Sequence, residues 1–129
     1  MPHIERTAAI VWEGNVARGG GTISAATSGA FSDLGFSLPT RVGQAEGKTS
    51  PEELIAGAHG VCYAMVVNAT IGRMGGKIEK THVTCTVTAD LSEAGIKITK
   101  SHLDLVVEGL TGVDAATLWR RYIQLTESE

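Results

Sequence analysis

Cys62 is the residue in this sequence best suited to covalent chemistry, because a thiolate is a nucleophile that can be oxidised and then recovered. It sits mid-stretch in Ala58-His59-Gly60-Val61-Cys62-Tyr63-Ala64-Met65. Taken alone, such a cysteine is a small buried hydrophobe. A thiol in the middle of a helix gains nothing from the helix N-terminus, so a reactive Cys62 needs a cation brought in from elsewhere. Arg41, in Pro39-Thr40-Arg41-Val42-Gly43, is a candidate, although its residue type alone reads as a solvated surface charge. Glu52 can orient that arginine through a bidentate pair. The same carboxylate also suits the positive end of a helix, whatever else it does.

The remaining reactive side chains carry weaker signals. His59 lies one helical turn before Cys62 and can touch a substrate, tune the thiol, or simply pack in an interface. Cys85, between Thr84 and Thr86, reads as an inert core residue of a strand. His3, His59, His82 and His102 have no metal-ligand spacing, and His59 with Cys62 cannot fill a zinc site, so no metal is expected. Gly19-Gly20-Gly21 does not lead from a strand into a helix, which removes a phosphate-cradling loop. Trp119-Arg120-Arg121-Tyr122 is one amphipathic turn rather than a basic patch.

The elements that must hold these residues follow from local signals. Ser50-Pro51-Glu52-Glu53 starts a helix: Ser50 caps, Pro51 takes the first helical position, and Glu53 closes a capping box. The helix should run to about Arg73 and stop at Gly75-Gly76. Leu54 to Gly72 contains no Asp, Glu, Lys or Arg, so the helix is apolar on nearly every face. His59, Asn68, Thr70 and the many small residues favour a buried core helix over a membrane span. One small domain can hardly cover such a helix, which implies a second subunit. Glu52 and Cys62 are ten residues apart on it, about 15 Å along the axis. If both serve one small substrate, Glu52 comes from the partner.

Around this helix the pattern is mixed. Thr7 to Trp12 and Thr22 to Thr27 read as strands, with Arg18 to Gly21 a loop between them. Phe36-Ser37-Leu38 alternates and meets Pro39, as at a strand end, and Gly43 to Lys48 is a polar loop. Val83 to Thr88 alternates cleanly, Ser92 to Gly95 turns, and Ile96 to Val107 returns with Ile96, Ile98, His102 and Leu105 to Val107 available to pack. Asp114 caps a last helix whose inner side is Leu118, Trp119, Tyr122 and Leu125. The class is α+β, with N-terminal strands, a long central helix, a β-hairpin and a C-terminal helix.

With 129 residues and 43% apolar side chains, the chain is expected to be one folded domain over residues 1–129. The net charge of −3 and 5% aromatics argue against a nucleic-acid partner. Two cysteines make no disulfide scaffold, and Met1 to Arg6 lack the apolar core of a signal peptide, so a reducing cytoplasm is the expected setting.

One family shares these features. Thr40-Arg41, then Gly47-Lys48-Thr49-Ser50-Pro51-Glu52-Glu53-Leu54-Ile55, then Ala58-His59 and Cys62 resembles the OsmC/Ohr signature. Trp12-Glu13-Gly14 and Gly112-Val113-Asp114 fit its layout, and the arginine just upstream of Ser-Pro-Glu-Glu-Leu suits the OsmC branch. The resemblance implies an intertwined α+β homodimer that reduces organic hydroperoxides, and less well hydrogen peroxide. It implies Cys62 as peroxidatic cysteine, with Arg41 and Glu52 supplied by the other subunit. An external thiol reductant of the dihydrolipoyl kind is implied, and no cofactor. The family's later Cys-Pro motif would fall near Glu129, where this sequence reads Thr126-Glu127-Ser128-Glu129. Either a one-cysteine peroxidase or a poorly recycled one is therefore expected. The alternatives are a non-catalytic scaffold, a binder of small hydrophobic molecules, or a truncated gene product.

Overall fold

A computed structural model describes residues 2–114. The last helix expected from Asp114 onward lies outside them. The described residues are mixed α+β and form two compact units: residues up to Leu54 with Leu91–Ile96, and Ile55–Asp90 with residues from Lys97 on.

The first unit holds an antiparallel sheet of order β1-β2-β3, made of Ala8–Glu13, Gly20–Ala25 and Leu34–Phe36. The sequence expectation of a loop at Gly20-Gly21 is corrected here. Both glycines are paired strand residues, Gly20 opposite Glu13, and Gly21 opposite Trp12 on one side and Phe36 on the other. The Trp12 and Phe36 rings meet across this strand with centroids 5.6 Å apart. A Cβ on Gly21 would lie 2.4 Å from the Val11 carbonyl oxygen and 2.7 Å from the Phe36 ring. The glycine is thus demanded by the neighbouring strands, and local flexibility is not its purpose.

Pro39 does not end a strand; it sits in the first turn of α1, Leu38–Val42. Ser37 caps this helix, its hydroxyl accepting from the Thr40 backbone N–H at 3.3 Å and lying 2.6 Å from the Thr40 hydroxyl. Proline's fixed φ and missing N–H are harmless at a helix start.

The long helix, α2, spans Pro51–Arg73, the span its start and stop signals predict. The Ser50 hydroxyl accepts from the Glu53 N–H at 3.1 Å, while the Glu53 carboxylate takes the Thr49 hydroxyl at 2.9 Å. At the other end Gly75 adopts φ +85°, and the Gly76 N–H donates back to the Ile71 carbonyl at 2.9 Å. That left-handed turn is the reason for a glycine there.

In the second unit α2 packs on a hairpin of β4, Lys80–Ser92, and β5, Gly95–Glu108. Val83, Cys85 and Val87 share the half-buried face of β4, as their alternation predicts. On β5 the half-buried positions toward the end are Leu103, Leu105 and Val107. His102, expected to pack inward, is exposed beside Asp104. The fully buried hydrophobic core of the described residues is Val67 and Ile71, with Tyr63, Ile78, Leu105 and Leu110 against it.

That core is small for so apolar a chain. Along α2 the buried residues are Val67, Thr70 and Ile71, whereas Val61 and Met65 are more than 60% exposed. By length and composition α2 could cross a membrane. The expected buried helix is therefore buried on one side only within its own chain.

Candidate active site

Arg41 stands in the last turn of α1, just ahead of the polar loop that begins at Gly43. The cap at Ser37 fixes the start of this short helix, and the Arg41 N–H donates to the Ser37 carbonyl at 3.1 Å. The guanidinium then meets the first turn of α2. Its Nε donates to Glu52 Oε1 at 2.9 Å and its Nη2 to Oε2 at 2.6 Å, the parallel two-bond geometry of a bidentate pair. The side chains are 28% and 14% exposed, so the pair is shielded from most solvent. The hydrogen bonds from Arg41, reinforced by its charge, hold the Glu52 carboxyl below its ordinary range despite partial burial. The same bonds raise the Arg41 guanidinium above its ordinary value. Both partners belong to one chain, and the first unit contains the whole pair.

Cys62 lies mid-way along α2 in the second unit, exposed and outside any disulfide. Relative to Val61 it is turned 100° around the helix, and relative to Met65 60°. Around it the helix presents an open face flanked by exposed Val61 and Met65. The structure thus brings Arg41 to Glu52, and it sets Cys62 apart on the exposed part of α2.

Sequence reasoning missed a group nearby. His59 Nδ1 lies 2.6 Å from the Ser101 hydroxyl, and Cys85 Sγ lies 3.3 Å from that hydroxyl and 3.8 Å from Nδ1. The His59 ring also meets Tyr63 edge-on, with centroids 6.3 Å apart. Cys85, expected to be a plain core residue, is part of a polar cluster. Gly60 lies against the same strand, its Cβ position 3.6 Å from the Cys85 Cβ, an ordinary contact distance. The alternation of β4 already marked Cys85 as inward-facing. Nothing in the sequence placed Ser101 beside it: of the β5 positions expected to pack, Ile96, Leu105 and Val107 are half-buried, and Ser101 is not one of them.

Comparison with known proteins adds the following. Residues 43–128 match the family described as OsmC-like protein. The peroxiredoxin OsmC of Escherichia coli K12 is 37% identical over 106 residues, covering 82% of this chain and 72% of that protein, and its counterpart from Shigella flexneri matches equally. Among solved structures, an OsmC-like protein of unknown function from Vibrio cholerae superposes with a TM-score of 0.71 at 18% identity, covering 98% of this chain and 90% of that one. The organic hydroperoxide resistance protein OhrB of Bacillus subtilis gives 0.57 at 22% identity, over 90% and 80% of the two chains. At these identities the two structures speak to the fold.

Proposed function

Because this chain belongs to the OsmC-like family and is 37% identical to the peroxiredoxin OsmC of Escherichia coli K12, we propose that it is a cysteine-based peroxidase that reduces organic hydroperoxides. The observation that carries this reading is the shielded, two-bond Arg41–Glu52 pair. Glu52 occupies the Nε edge and one hydrogen of Nη2, which leaves three of the five guanidinium N–H donors to face an anion. A cation fixed in this way can hold a thiolate, and Cys62 is the exposed thiol available.

In the proposed working form two copies face each other, and Arg41 of one serves Cys62 of the other. The spacing of Glu52 and Cys62 on α2 supports a site of this kind, since one small substrate cannot bridge about 15 Å within a single chain. The Cys62 thiolate attacks the distal peroxide oxygen. A sulfur–oxygen bond forms, the oxygen–oxygen bond breaks, and the alcohol departs, leaving Cys62 as sulfenic acid. A dithiol of the dihydrolipoyl kind attacks that sulfur and releases water. Its second thiol then closes the dithiol's own disulfide and frees Cys62. A reducing cytoplasm suits a cycle that depends on unpaired thiols.

The test is turnover of cumene hydroperoxide with dihydrolipoamide as reductant. Cys62→Ser should abolish turnover, and Arg41→Ala should lower it about 100-fold, in line with loss of one strong electrostatic donor. Unchanged turnover by Cys62→Ser would remove the assignment.

A further inference from the structure

The Cys85–Ser101–His59 cluster has no part in the thiol chemistry just described, yet it ends one helical turn from Cys62. His59 and Cys62 are separated by three residues, about 4.5 Å of rise and 60° of rotation on α2. Side chains so related are neighbours, with Cβ atoms about 5–6 Å apart. Cys62 is exposed and His59 half-buried beside it on the helix, so a molecule bound at the sulfur can still reach the imidazole.

The donors in the cluster can be ordered. A hydroxyl has one hydrogen to give, and Ser101 has two neighbours that can take it, the imidazole Nδ1 and the Cys85 sulfur. Sulfur is a weak acceptor and a ring nitrogen a good one. The 2.6 Å contact is also much the tighter of the two. Ser101 therefore donates to Nδ1, and the Cys85 thiol donates to Ser101. With Nδ1 an acceptor, the ring proton resides on Nε2. The edge contact with Tyr63 limits how the ring can turn.

We infer that His59 gives the departing alcohol its proton, through a relay that runs Cys85 to Ser101 to His59. The inference rests on the peroxidase reading above. When the Cys62 thiolate takes the distal OH of the hydroperoxide, the other oxygen leaves as an alkoxide, a far stronger base than a thiolate. The Nε2 proton passes to it, the Ser101 hydrogen moves to Nδ1, and the Cys85 hydrogen moves to Ser101. The sum is Cys62 thiolate, hydroperoxide and Cys85 thiol giving Cys62 sulfenic acid, alcohol and Cys85 thiolate. Solvent returns the proton to Cys85. No electron enters or leaves beyond the two that pass from the Cys62 sulfur to the peroxide. His59 is the catalytic group; Ser101 and Cys85 are positioning residues that act through it.

The relay matters only when the leaving group needs a proton. An alkoxide does, whereas the carboxylate released from a peroxycarboxylic acid does not. The experiment is stopped-flow oxidation of the reduced protein, without added thiol, by cumene hydroperoxide and by peracetic acid, with mass spectrometry to locate the oxidised sulfur. The readout is the ratio of the two rates. His59→Gln should lower it about 100-fold, the size of a general-acid contribution. Ser101→Ala, a gentler change, should lower it about tenfold, and Cys85→Ser, which keeps a donor, should restore most of what Cys85→Ala loses. A ratio unchanged in both His59→Gln and Ser101→Ala overturns the relay, as does an equal fall with both oxidants, which would mark a merely structural role. Cys62→Ser separates the two readings. If it still reacts at native rates the peroxidase proposal itself fails. If it is inert while the ratio stays fixed in the other variants, the relay alone fails.

Discussion

The Arg41 guanidinium and the Glu52 carboxylate are eleven residues apart in sequence, and each shifts the other's proton affinity toward the charged form. The consequence for stability has a definite sign. Glu52 titrates lower in the folded chain than in the unfolded one, so its contribution is fully present above the ordinary glutamate value near 4.3. It is lost as the pH falls through the lowered folded value. Arg41, raised from a value already far above neutrality, adds no pH dependence in any accessible range. Urea unfolding of the native chain and of Glu52→Gln, at equal protein concentration from pH 7 to pH 3, should show the variant less stable by about 1–2 kcal/mol at neutrality, the usual size for a partly exposed charged hydrogen bond. The gap should close below about pH 4. A gap that stays constant to pH 3 would mean that shape at this position, and not the carboxylate charge, holds the pair.

At the level of elements, what the sequence revealed divides by range. The start and stop of α2 were legible because Ser50-Pro51 and Gly75-Gly76 act within one turn of themselves. The hairpin of β4 and β5 was legible because alternation is a property of one strand at a time. Arg41 and Glu52 were identifiable as a candidate pair by charge and motif. The short helix that aims Arg41 was not seen, because Phe36-Ser37-Leu38 alternates like a strand and masks the cap at Ser37. The signal was nonetheless present: Ser37 two residues ahead of Pro39 suits a cap followed by a proline in the first turn. Gly21 was misread because its reason lies on two other strands, and the relay cluster because it needs three elements at once. Gly21→Ala is the sharp test of the first unit. The added carbon would meet the Val11 carbonyl and the Phe36 ring, so strand or ring must move. The cost should be about 1–3 kcal/mol, as for overpacking, or roughly 4 °C of melting temperature for each kcal/mol. Phe36 leads directly through the Ser37 cap into α1, so the peroxidase rate should fall as well. A melting point equal to that of the native chain would show that the sheet does not depend on this close approach.

For the whole molecule the decisive fact is where the apolar surface lies. Val67 and Ile71 bury one side of α2, while Val61 and Met65 leave the opposite side open, with Cys62 at its margin. Ile10 and Val11 on β1 are likewise more than half exposed. The exposed apolar side of α2, on a chain of net charge −3, calls for a cover, and the candidates are lipid and a second copy. Lipid explains the exposed face of α2 but gives Cys62 no cation. In the proposed dimer a second copy would cover the same face and bring an Arg41–Glu52 pair with it, so that one partner would meet both burial and chemistry. The proposed dimer therefore predicts a joint failure. Sedimentation of the native chain at micromolar concentration without detergent should give twice 13.5 kDa. Met65→Glu, which sets a charge on the open face 60° from Cys62 while leaving the Val67–Ile71 side intact, should shift the mass to a single copy and remove peroxidase activity together. A native chain that sediments as one copy, or a monomeric Met65→Glu that still turns over hydroperoxide at the native rate, would break the link between the two-fold contact and the reactive sulfur.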